Sequence, residues 1–162
     1  MTTAFDELLD AQWDTMHGTA LPDQRFFEPT ERFWDTMEEI GHGSTWIDCG
    51  TGVGHIPKMA VERGFKMGGC DIVARDGTVP GSIYILPAHR IPWTESMSVL
   101  VCRPNHNGWV EHLFEHTKNI VERFVYVGGQ GKVIYDLPGV SFHQFAPNVG
   151  KERECMFIWE RK

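Results

Sequence analysis

The apolar positions of this 162-residue chain follow a helical period at the start and a strand-like one beyond residue 44. Phe5, Leu8, Leu9, Trp13 and Met16 recur at helical spacing, with Asp6, Glu7, Asp10 and Asp14 mostly on the opposite side, and Gly18 and Pro22 end that helix. A second helix opens near Glu28-Pro29-Thr30, carries the stripe Phe33, Trp34, Met37 and Ile40, and stops at Gly41 and Gly43. Thr45 to Cys49 is a short apolar run ending in glycines, the pattern of a buried strand. A helix follows from Gly54 to Arg63, with Pro57 tolerated in its first turn and Gly64 as its C-cap. Residues 65–71, Ser82 to Leu86 and Met97 to Cys102 predict three further strands. Trp109, Val110, Leu113, Phe114, Thr117, Ile120, Val121 and Phe124 trace one apolar arc, which predicts a helix over 108–124 with Asn107 as N-cap. Phe124 to Val127 predicts a fifth strand. Val140 to Phe145 and Glu154 to Glu160 predict an antiparallel pair around a Pro/Asn/Gly turn. Strands alternating with helices and closed by a hairpin give an α/β sandwich around a mostly parallel sheet.

Composition narrows this to one compact domain. Hydrophobic residues make up 41% and charged residues 23%, which is globular rather than disordered. The net charge of −7 is unevenly spread. Residues 1–43 hold ten acids against Arg25 and Arg32, whereas residues 44–162 hold twelve acids and thirteen bases. The chain therefore divides into an acidic N-terminal helical arm, 1–43, and a near-neutral core, 44–162. Such a balance disfavours nucleic acid as a partner. Cys49, Cys70, Cys102 and Cys155 sit in or beside apolar runs without a CxxC pair, as reduced thiols in a cytoplasmic protein would. No apolar stretch approaches a membrane span. Nothing in the sequence specifies an oligomeric state.

The candidate chemistry centres on Ile47-Asp48-Cys49-Gly50-Thr51-Gly52-Val53-Gly54. A strand ends in an acid, and alternate glycines then lead into a helix. Glycine lets a ligand press against backbone where a Cβ would collide, and a helix start offers free N–H groups to a negative group. A phosphate-binding P-loop would need Gly-Lys-Ser/Thr, but this chain reads Gly54-His55-Ile56. A dinucleotide turn would need a small residue where His55 stands, which disfavours an enzyme built on another nucleotide cofactor. The pattern matched in full is D-x-G-x-G-x-G, through Asp48, Gly50, Gly52 and Gly54.

Here the chain resembles the class I S-adenosylmethionine (SAM) dependent methyltransferases, over residues 44–162. The resemblance implies a Rossmann-like fold and a glycine turn, with Thr51, that cradles the methionine part of SAM. It implies that Asp71, seventeen positions after Gly54 at a strand end, holds the ribose hydroxyls, with Ile72 beside it. Pro87 to Trp93 is similar to the family's adenine-side segment, which puts Ala88 and His89 at the ring, with Cys102 at the end of strand four. Pro87 stands where the family carries an acid, leaving the Ala88 N–H to reach the adenine, and Trp93 is a candidate lining residue. Only about ten residues separate Asp71 from the third strand, so the crossover helix between strands two and three should be missing or reduced to a turn. Asn105 and His106, in the loop after strand four, are the catalytic candidates, because the carboxyl ends of such strands line the ligand crevice. The Asn/Asp-Pro-Pro-aromatic and Pro-Cys signatures of base methylation are absent, since Val101 precedes Cys102. The acid-rich arm and the lack of basic clusters favour a small-molecule or protein acceptor over DNA or RNA. His112 and His116 are spaced like metal ligands, but they flank the buried arc without a third ligand, so no metal is expected. The alternative is a binding or regulatory module that kept this fold and lost transfer activity.

Overall fold

A computed structural model describes residues 27–72, 83–104, 108–128 and 140–162. The elements in chain order are α1 (Glu31–Gly41), β1 (Thr45–Cys49), α2 (His55–Glu62), β2 (Lys66–Asp71), β3 (Ile83–Ile85), a short 3-10 turn (Ala88–Arg90), β4 (Met97–Cys102), α3 (Gly108–Thr117), β5 (Arg123–Gly128), β6 (Gln144–Ala146) and β7 (Cys155–Glu160). The strands form one sheet in the order β3-β2-β1-β4-β5-β7-β6. β3 to β5 run parallel, and β7 and β6 are antiparallel additions.

Alternation along the strands builds two cores. Trp46, Leu100, Val125, Val127, Met156 and Ile158 point to one face, where Phe33, Trp34 and Met37 of α1 and Ile56 and Ala60 of α2 cover them. Ile47, Val99, Val101, Phe124 and Tyr126 point to the other, under Trp109, Val110, Leu113 and Phe114 of α3. The result is a three-layer sandwich, as the alternation of elements requires. β1 and β4 have the predicted bounds because central strands buried on both faces read as unbroken apolar runs.

Several boundaries shift by a residue or so, and three differ from the expectation for a physical reason. α3 ends at Thr117, not at Phe124. Thr117 Oγ1 bonds back to the Leu113 carbonyl, and the Thr117 carbonyl receives the N–H groups of Ile120 and Val121 in a closing turn. Val121 is fully buried although it is not helical, so the apolar arc in the sequence outruns the helix. β6 is only Gln144–Ala146, set by pairing with β7 rather than by its own pattern. α1 begins at Glu31, and Thr30 Oγ1 bonds to the Asn148 carbonyl instead of capping the helix. The expected helix over Phe5 to Met16, the connection after β2 and the Asn107 cap lie outside the described residues. β2 and β3 are nonetheless parallel neighbours, with Asp71 in register with Ile85.

Candidate functional site

The site lies at the carboxyl end of β1 and β2, where the chain turns from β1 into α2. Gly50, Gly52 and Gly54 all have left-handed backbone, with φ of 75°, 66° and 85°. A side chain is strained at each of these positions, which is why glycine recurs at alternate places. The turn is fastened to β2. The N–H groups of Gly50 and Thr51 both donate to the Cys70 carbonyl, at 2.9 and 3.0 Å. Thr51 sits over Gly69, where a Cβ would lie only 2.6 Å from Thr51 Cγ2. Gly52 N–H donates to Asp71 Oδ2 at 2.9 Å.

Two carboxylates are buried beneath this turn. Asp48 and Asp71 are each 2% exposed. Thr51 Oγ1 donates to Asp48 Oδ2 at 2.7 Å. Burial pushes the Asp48 carboxyl up to about 7; the Thr51 hydrogen bond opposes the shift, and the Asp71 charge adds to it. Burial also raises the thiols of Cys49 and Cys102 well above the ordinary range. The neighbouring Cys70 and Asp48 add to the rise for Cys49, as Asp48 and Glu154 do for Cys102. Raised thiols are poor nucleophiles.

The other expected residues are distributed around this edge. Ala88 and His89 are buried in the 3-10 turn that follows β3, and Ile72 packs against the same core as Ala88. Trp93 is buried as a strut, its indole N–H donating to the Ala88 carbonyl at 3.0 Å. Cys102 is half-buried at the end of β4. The His89 ring meets that of His116 edge-on at 6.3 Å. No group of three or more His, Cys, Asp or Glu among the described residues could hold a metal ion. Asn105 and His106 lie outside the described residues.

The sequence pattern did not suggest an interlock on the far side of the crevice. Arg103, directly after β4, has left-handed backbone with φ of 47°. Its N–H donates to the Val127 carbonyl at 2.7 Å, and its guanidinium lies 2.9 Å from Glu152 and 3.8 Å from the fully buried Glu154. A strap also closes this edge. Pro29 bridges Gly150, Lys151 N–H donates to the Glu28 carbonyl, and the Phe27 carbonyl lies 3.2 Å from His55 Nε2 at the start of α2. These partners stand tens to more than a hundred positions apart, so no local motif announces them.

No protein-family model matches the sequence, and no curated protein matches it. Solved structures do match the fold. A TehB-like SAM-dependent methyltransferase from Corynebacterium glutamicum superposes with a TM-score of 0.60 at 14% identity, over 96% of this chain and 97% of that one. The 1,6-didemethyltoxoflavin-N1-methyltransferase of Burkholderia thailandensis, solved with bound 1,6-didemethyltoxoflavin and S-adenosylhomocysteine, gives 0.60 at 12% identity, over 100% and 92%. Magnesium protoporphyrin IX methyltransferase from Synechocystis, with bound SAM, gives 0.56 at 11% identity, over 100% and 86%. The chain shares their Rossmann-like fold.

Proposed function

We propose that this chain is a SAM-dependent methyltransferase that moves a methyl group from SAM to a small-molecule or protein acceptor. The observation that carries the reading is the glycine turn. Three left-handed glycines lie between a buried strand-end acid and a helix start, in a fold shared with proteins solved holding SAM or its demethylated product.

The residues suit that cofactor. Gly50, Gly52 and Gly54 offer backbone without Cβ atoms, and the first turn of α2 favours a carboxylate. Asp71 suits a vicinal diol, because a carboxylate accepts several hydrogen bonds. Asp48, deep under the turn, holds Thr51 in place by accepting its hydroxyl. Thr51, Ile72, Ala88, His89 and Cys102 complete the proposed lining. SAM, when bound, supplies a methyl group on a positively charged sulfur. The chain's own part is to align the acceptor and exclude water. Asn105 and His106, following β4, are assigned to orient the acceptor and take its proton where it has one to lose.

Of the acidic arm 1–43, α1 packs into the core, and residues 1–26 are assigned as a cap over this edge, because the carbonyl of Phe27, to which they join, lies 3.2 Å from His55 Nε2 beside the glycine turn. The four free thiols suit a cytoplasmic setting, and no helix among the described residues is long and apolar enough to cross a membrane.

Melting curves with SAM, S-adenosylhomocysteine and NAD test the cofactor. SAM and S-adenosylhomocysteine should raise the midpoint in proportion to the logarithm of concentration, and NAD should not. Gly52→Val should abolish the shift while far-ultraviolet circular dichroism stays native. The absence of a shift at millimolar SAM and S-adenosylhomocysteine would overturn the assignment. Binding without transfer across a broad acceptor panel would mark a binding module instead.

A further inference from the structure

Asp71 closes β2, and its Oδ2 accepts the N–H of Gly52 at 2.9 Å across nineteen positions of sequence. It is 2% exposed, so this bond is formed away from bulk water, where a charge-assisted bond is strong. Gly52 is the middle one of the three left-handed glycines and has no side chain to fix its conformation. The turn's other fastenings to β2 hold Gly50 and Thr51, at its start, and Gly54 N–H bonds only within the turn, to the Thr51 carbonyl. The Gly52 bond is therefore the one that sets the crest of the turn.

We propose that Asp71 is a positioning residue for the glycine turn as well as a ligand group, so that one carboxylate couples the two ends of the cofactor site. This rests on the reading of the site as a SAM pocket. A carboxylate offers about four acceptor positions, enough for the Gly52 N–H and two ribose hydroxyls together. The acid that holds the diol thus also shapes the backbone that meets the amino-acid end. Losing it costs recognition at both ends, whereas a carboxylate acting only on the ribose would cost recognition at one.

Asp71→Ala removes the latch, and Asp71→Asn keeps an oxygen that can accept the Gly52 N–H. Amide hydrogen exchange in the ligand-free protein reads the latch directly. Gly52 should be protected in the unaltered chain and should exchange about tenfold faster or more in Asp71→Ala, but not in Asp71→Asn. Calorimetry then compares S-adenosylhomocysteine with 5′-methylthioadenosine, which keeps the ribose and adenine and lacks the amino acid. Asp71→Ala should weaken the first about tenfold more than the second, and Asp71→Asn should leave their ratio near that of the unaltered chain. Equal losses for the two ligands in Asp71→Ala, or an unprotected Gly52 in the unaltered chain, would overturn the proposal. The protection of Gly52 in the unaltered chain stands as a test even if Asp71→Ala does not fold. If neither ligand binds the unaltered chain, the cofactor reading falls, and the exchange measurement still decides the latch.

Discussion

Asp48 is a carboxyl held where its charge is costly. Its folded value of about 7 lies above the ordinary 3.8, so the folded state binds its proton more tightly than the unfolded one does. The stability this contributes is full below 3.8 and is lost as pH rises through 7. Asp48→Asn keeps an oxygen to accept the Thr51 hydroxyl and removes the titration. In denaturant melts the stability of the unaltered chain should therefore fall more steeply between about pH 4 and pH 7 than that of Asp48→Asn, with a difference of a few kcal/mol across the window. Parallel slopes would show that Asp48 does not titrate there. Gly69 belongs to the same scale. A methyl group there meets Thr51 at 2.6 to 2.8 Å, so Gly69→Ala should cost about 1–3 kcal/mol in denaturant melts. Adding Thr51→Ala, which deletes two of the three crowded atoms, should make the pair of changes less than additive.

Among elements, what could be read in advance follows how local the determinant is. β1, β4 and the glycine turn announce themselves in consecutive residues, through unbroken apolar runs and through glycines demanded by left-handed backbone. The end of α3 does not, because Val121 is buried after the helix has closed and a period analysis cannot separate the two causes of an apolar residue. β6 takes its bounds from β7. Asp71 was legible as a strand-end acid, but its bond to Gly52 was not, since that contact exists only once β1 and β2 lie side by side. The Arg103 interlock is the extreme case, with an exit from β4 held by two glutamates from the turn before β7. Arg103→Ala should lower stability by about 3 kcal/mol, since it leaves Glu154 buried without its cation. Arg103→Gly should cost about 1 kcal/mol less than Arg103→Ala, because glycine tolerates φ of 47°. Equal losses in urea melts would mean that the backbone there carries no strain.

At the scale of the molecule, the candidate groups among the described residues gather around the carboxyl ends of the strands, and Phe27, which follows residues 1–26, lies beside the start of α2. Among the described residues, α1, α2 and α3 cover the two faces of the sheet, and Phe27 is the first buried member of the two cores in sequence. Those first 26 residues carry five acids and one base, so removing them takes the net charge from −7 to −3. A cap bordering the cleft would slow escape of a bound ligand and contribute little to the cores. Truncation before Phe27 should then leave the ligand-free melting midpoint within about 2 °C of the full chain, in keeping with a loss under 1 kcal/mol. It should also weaken S-adenosylhomocysteine about tenfold, mostly through faster dissociation, as most changes at an interface do. Stopped-flow displacement separates the two rates. Removing net negative charge should shift the association rate and its salt dependence only modestly, because exposed charges beyond a Debye length of about 8 Å are screened at physiological ionic strength. An unchanged dissociation rate with a lowered melting midpoint would make the arm a part of the fold rather than a cap on its site.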